Sequence, residues 1–205
     1  MGFINEGFQS FKAEIETIRQ EVTEATNRSL GSQKECQRLE KELRDIKREI
    51  IALKQYSRRN NIELKGVSLT EGEDVADIVL KVATFLKAKL SGQDVDVAHR
   101  VPTKGSGPPN IVVKSVARHV RDSILTAAKK NRRNVGSLGF QGSEPVYVNA
   151  HLCPENKVLL SKSIQAKKER NWKFAWFADD KVLMWKSVNL KVVHVTCKDD
   201  LSEIV

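Results

Sequence analysis

From residue 8 to residue 53 the chain repeats at strict 3-4 spacing. Phe8, Ile15, Val22, Ser29, Cys36, Leu43 and Ile50 alternate with Phe11, Ile18, Ala25, Ser32, Leu39, Ile46 and Leu53. Written as heptads abcdefg, the first set takes every a position and the second every d position over seven repeats. A period averaging 3.5 residues keeps one seam facing a partner helix, so the segment predicts a coiled coil and therefore an oligomer. The flanking charges favour parallel strands. Glu14 meets Arg19, Glu42 meets Lys47 and Glu49 meets Lys54 across a parallel interface, and only Glu35 opposite Glu40 repels. Ile18 and Ile46 at d tilt the assembly towards a homotrimer, with a dimer as the runner-up. Ser29 and Ser32 make two polar layers beside Gly31, so a joint or frayed zone is expected around residues 29–33.

Beyond Tyr56 the period changes from 3.5 to 2. Ile62, Leu64 and Val67 alternate as the inward side of a strand. Val75, Ile78, Val79, Val82, Phe85, Leu86 and Leu90 recur at helical spacing and predict a helix ending near Ser91-Gly92. Residues 95–101 and 111–114 read as two further strands around a Gly- and Pro-bearing loop at 102–109. A second helix follows from Ala117 to about Lys130, striped by Val120, Ile124 and Ala128. A basic loop then leads to a fourth strand at 146–148. The order β-α-β-β-α-β makes a ferredoxin-like, RNA-recognition-motif-like sandwich the natural fold. Neither the first nor the third strand carries an aromatic residue, so base stacking on this sheet is not expected.

Residues 150–205 read as a separate small α+β unit. Its helix runs from Glu155 to Glu169 with Pro154 at the first helical position, and Val158, Leu159 and Ile164 turn inward. A hairpin follows with its turn at Ala178-Asp179-Asp180, then a strand at 192–195 and a short terminal helix. The expected division is thus a coiled-coil helix over 1–57, a ferredoxin-like domain over 58–149 and a small C-terminal domain over 150–205.

Charge changes the picture. Residues 1–57 carry ten Lys/Arg and ten Asp/Glu, whereas 58–145 carry fifteen against nine and 146–205 ten against seven. The whole net charge of +9 lies beyond the heptads. A basic body on a neutral rod points to a polyanionic partner, single-stranded RNA or DNA first and an acidic membrane surface second. No run of apolar residues is long enough for membrane insertion. Cys36, Cys153 and Cys197 are scattered and odd in number, which suggests neither a disulfide framework nor a metal site and fits a reducing compartment. His99, His119, His151 and His194 are equally scattered, and no nucleophilic set or phosphate-binding loop occurs. The expectation is a protein that is not an enzyme and uses no cofactor.

Several segments carry a family resemblance. They are Ser57-Arg58-Arg59-Asn60-Asn61-Ile62, Ala98-His99-Arg100-Val101-Pro102-Thr103, Ile111-Val112-Val113-Lys114 and the helix from Val120 to Lys129. In this order, behind a heptad rod, they resemble the first-open-reading-frame protein of LINE-type retrotransposons. They also resemble the baculovirus few-polyhedra (FP) family and its arthropod transposon-derived relatives, and residues 146–176 look most like the FP C-terminal domain. The resemblance implies a trimeric rod displaying basic modules that bind single-stranded nucleic acid with little sequence preference, in a cytoplasmic ribonucleoprotein that can also be nuclear. The FP branch implies an alternative, a coiled-coil adaptor for proteins or acidic membrane surfaces. Carried over by position, Arg58, Arg59 and Arg100 match the basic binding surface, and Lys104 matches part of its loop.

Physical chemistry extends that surface. The planar fork of arginine donates two hydrogen bonds to a phosphate. Arg118, Arg121, Lys129, Lys130, Arg132 and Arg133 are expected to form one basic edge. Lys157 and Lys162, with Lys167 and Lys168, would extend it along the C-terminal helix. Trp172, Phe174, Trp176 and Trp185 are able to stack bases, but their alternate positions read first as the core of the small domain.

Overall fold

A computed structural model describes residues 2–103, 107–131, 146–187, 190–197 and 200–203. The chain is mixed α+β, with one long N-terminal helix followed by antiparallel sheets. It divides into two units, Met1–Ile50 and Ile51–Val205.

Helix α1 runs from Gly2 to Tyr56. The expected joint at 29–33 is absent from it, and the helix passes through Gly31 without a break. A glycine costs a helix about 1 kcal/mol relative to alanine, which a helix hydrogen-bonded on both sides of it tolerates. The heptad seam is open in the single chain, from Phe8 at 70% exposed and Phe11 at 63% through Ile15, Ile18, Val22, Leu39, Leu43, Ile46 and Ile50 to Leu53 at 69%.

In the second unit β1 (Asn61–Lys65), β2 (Val95–Val101), β3 (Asn110–Ser115) and β4 (Tyr147–Ala150) form one sheet in the order β2-β3-β1-β4. All its neighbours are antiparallel. Alternation sends Ile62, Leu64, Ile111 and Val113 to one face, where they pack on α2 (Val75–Phe85) and α3 (Arg118–Lys130) through Val79, Val82, Leu86, Val120 and Ile124. Asp74 caps α2, accepting from the N–H groups of Ala76 and Asp77. The helix stops short of the expected Ser91-Gly92. Lys87 takes a left-handed φ of 55° and the Ala88 N–H returns to Ala83 O at 2.9 Å, so a Schellman-type cap ends it at Phe85. Leu90 packs on the core from outside the helix.

Helix α4 (Pro154–Glu169) starts at its proline and turns Leu159 inward as expected, but Val158 and Ile164 are not on its inward face. Asn156, Leu159, Ser163 and Ala166 are buried, while Val158 is 49% and Ile164 39% exposed. The polar members are satisfied: Asn156 Nδ2 donates to Gln55 Oε1 and Ser163 Oγ to Leu159 O. With those donors paired, Asn156 and Ser163 are buried beside Leu159 and Ala166 without an unmet hydrogen bond.

The second sheet orders β5 (Phe174–Ala178), β6 (Lys181–Trp185) and β7 (Val193–Val195) antiparallel. Asp179 and Asp180, with φ of 49° and 62°, form the two-residue turn between β5 and β6. Both signs match the primed turns that suit strand twist. Helix α4 covers one face through Leu159 and Ala166, with Trp172, Val182, Met184 and Val195. A short α5 (Asp200–Glu203) closes the described chain. Thr196 and Cys197 direct backbone and side-chain donors at the Asp200 carboxylate. Burial alone would push its pKa up, but those hydrogen bonds outweigh burial and hold it far below the usual carboxylate range.

Candidate nucleic-acid interface

The last turn of α1 is built into the second unit. Gln55 occupies an f position, the outermost of the heptad, yet it is 1% exposed. Its Oε1 accepts from the Cys153 N–H at 3.0 Å and from Asn156 Nδ2 at 3.1 Å, and its Nε2 donates to His151 O at 3.2 Å. Gln55 thus ties the start of α4 to the end of α1 through the N–H of Cys153, an N-cap residue that makes no side-chain cap of its own. Lys54 pairs with Glu155 at 2.5 Å, so the charge expected to meet Glu49 across a coil is engaged in this joint.

The expected basic residues divide into those already engaged and those still open. Arg100 is fully engaged. Its Nε and Nη2 grip the Glu73 carboxylate at 2.7 and 2.8 Å, Nη1 donates to Val67 O and Pro109 O, and Nη2 donates to Ser68 O. With the side chain 13% exposed, all five donors bind the protein's own acceptors and none is left for a phosphate. The fork ties the loop after β1 to the ends of β2 and β3. It also holds the Glu73 carboxyl below its ordinary range.

Lys157 is engaged as well. Glu63 projects from β1 on the face opposite the core and is 4% exposed. Lys157 Nζ from α4 lies 2.9 Å from its Oε1, Asn110 Nδ2 donates to the same oxygen at 3.0 Å, and Lys65 Nζ lies 3.7 Å from Oε2. Burial works to raise the Glu63 pKa, but Lys157, Lys65 and Asn110 together bring it below normal. The same neighbourhood holds His151, whose pKa burial depresses. A buried carboxylate in mid-sheet is thus the opposite of an aromatic stacking site. Nothing near residue 63 in the sequence announces it, because its partner comes from another element far along the chain.

Arg59 and Arg121 are half-engaged. Arg59 Nε meets Asp180 Oδ2 at 2.8 Å, and its guanidinium lies 5.8 Å from the centre of the Tyr56 ring. Arg121 pairs with Asp122 at 2.6 Å and keeps a buried Nε without a partner. Arg58 donates from Nη1 to Lys54 O at 2.6 Å.

Arg118, Lys129, Lys130 and Lys162 are exposed and form no ion pair among the described residues. Arg118 opens α3, which begins at Ala117 without a side-chain cap or an acidic first turn. An open groove there is lined by Tyr56, Arg59, Asn60, Arg118, His119 and Asp122. Unpaired N–H groups of a helix start beside cationic side chains favour an anion. Lys129 and Lys130 stand in the last turn of α3, about 17 Å along the axis from Arg118 at 1.5 Å per residue, so one helix presents two separate basic ends rather than one edge. Lys104, Arg132 and Arg133 lie outside the described residues.

The aromatic residues sort differently from the sequence expectation. Trp172 is buried, because it follows the left-handed Asn171 that closes α4 and folds back with its N–H on Lys167 O. Phe174, Trp176 and Trp185 lie on the sheet face turned away from α4, with Phe174 52% exposed. They are not core.

No helix among the described residues is long and apolar enough to cross a membrane. The family described as Baculovirus FP protein domain 2 matches residues 153–205, which begin at the cap of α4 and take in the whole second sheet. No curated protein matches the chain significantly.

Proposed function

We propose that this chain is an oligomeric, sequence-tolerant single-stranded nucleic-acid-binding protein of the kind that coats RNA in retrotransposon ribonucleoproteins. The observation that carries this reading is the α3 groove, where exposed Arg118 and His119 stand with Arg59 around an uncapped helix start on a body that holds the entire excess of positive charge. The strand order β2-β3-β1-β4 with two helices on one face supports a ferredoxin-like reading of residues 58–149. The open heptad seam of α1 supports a parallel trimer. Binding, not catalysis, is the activity proposed, and RNA in the cytoplasm is the proposed setting.

The FP match over residues 153–205 favours a second reading, an adaptor that uses the C-terminal unit to bind a protein partner. A salt titration separates the two. Single-stranded RNA should bind with a steep loss of affinity as salt rises, and Arg118→Ala should flatten that slope by about 0.7, the increment for a single phosphate. If the purified protein binds no single strand at low salt, the adaptor reading takes its place.

A further inference from the structure

The face of the second sheet away from α4 is built like a binding surface. Cross-strand register sets Phe174 beside Trp185, Trp176 beside Leu183 and Ala178 beside Lys181, and Leu183 beside His194 on β7. The opposite parity, Ala175, Phe177, Val182, Met184, Val193 and Val195, goes to the core under α4. The core therefore accounts for none of the outward aromatics. Phe174 and Trp185 stack with ring centres 5.7 Å apart and planes 16° from parallel. Trp185 Nε1 donates to Leu190 O at 2.9 Å, which fixes the indole in its plane. The stack and this hydrogen bond position the Trp185 indole before anything binds, which lowers the entropy cost of stacking a ligand on it.

Its charge selects the ligand. Lys181 and His194 are exposed at outward strand positions, and exposed Lys173 and Lys191 immediately precede Phe174 and Val192. Among the described residues, the outward positions of the three strands carry no carboxylate. A second copy docking through this face would oppose one cationic border with another, whereas a polyanion with flat apolar groups satisfies both rings and lysines.

We propose that the Phe174-Trp176-Trp185 face stacks the bases of a single strand while Lys181 meets its backbone phosphate. Stacking on aromatics is tolerant of sequence because every base has a flat face. This inference rests on the nucleic-acid reading above and assigns it a base-contacting surface, apart from the phosphate groove at α3.

The test uses the full chain with a thymidine oligonucleotide and an abasic oligomer of equal length. The expected result is at least about tenfold tighter binding of the thymidine strand, with quenching of tryptophan emission that the abasic strand does not cause. Phe174→Leu with Trp176→Leu keeps the apolar surface and removes two of its three π faces. It should bring the thymidine strand most of the way down to the abasic affinity with the salt slope unchanged, and Lys181→Ala should reduce the slope by about 0.7. Equal affinities for the two strands in the wild type, without quenching, overturn the proposal even if the leucine variant does not fold. So does a leucine variant that binds as the wild type does, or one whose only change is a smaller assembly in sedimentation. A wild type that binds neither strand defeats the nucleic-acid reading itself, an outcome distinct from equal binding of both.

Discussion

Gln55 anchors Cys153: the amide oxygen of a side chain near the end of α1 receives the backbone N–H that precedes α4, at 3.0 Å. This one hydrogen bond joins positions 98 residues apart and is fully buried. Gln55→Ala leaves that N–H and the Asn156 amide without an acceptor, so it should destabilise the second unit by about 1–3 kcal/mol. Urea denaturation of wild type and variant measures the difference. A change under a few tenths of a kcal/mol would mean that water replaces the amide.

Arg100→Lys should cost about 1–3 kcal/mol, the range for leaving buried acceptors without their donors. A lysine reaches Glu73 as a point charge but cannot also serve Val67 O, Ser68 O and Pro109 O. At a temperature where the variant is folded, its affinity for single-stranded RNA should equal that of the wild type. Reduced affinity in a folded variant would return Arg100 to the binding surface.

Assembly is checked by light scattering. Full-length protein should be a trimer, and removal of residues 1–50 should give monomers that keep the Gln55 joint. Ser29→Ile with Ser32→Leu should raise the melting temperature of the assembly, because two polar layers become apolar and each buried methylene adds about 0.8 kcal/mol. An unchanged melting temperature would place both serines outside the seam.

Acid should weaken the protein through Glu63. Its pKa in the fold is below the ordinary 4.5, so the stability it contributes is complete above that value and is lost as pH falls through the folded-state value. Glu63→Gln should lower stability by about 1–3 kcal/mol at pH 7, and the gap to wild type should close as the medium is acidified past the folded-state value. Denaturation curves at neutral pH and in increasingly acidic buffer check this, and a gap independent of pH would rule out the carboxylate as its source.

Periodicity made much of the fold legible. The heptads foretell a long helix, the Ile62-Leu64 alternation foretells β1, and Asp179-Asp180 marks its hairpin. What the sequence hid depends on partners remote along the chain. Gln55 looks like an exposed f position and Glu63 like an exposed strand residue, because residues 151–157 supply the surroundings that bury them. Val158 and Ile164 look like core because periodicity counts apolar residues, whereas α4 buries Asn156 and Ser163 beside Leu159 and Ala166. The basic residues were visible as charges, but which were open to a ligand was not: Arg100 and Arg118 look alike in sequence and differ in their acceptors. Trp172, Phe174 and Trp176 share a spacing of two, yet a helix cap turns the first inward before the strand begins.

The Asp179-Asp180 turn has a kinetic consequence. Its hairpin is local and closes on the microsecond scale of isolated hairpins. The ion pair that Asp180 makes with Arg59 needs the chain to return from the opposite end of the unit, so it forms after that loop has closed. Where that closure follows the transition state, the Asp180 carboxylate slows unfolding without hastening the forward reaction.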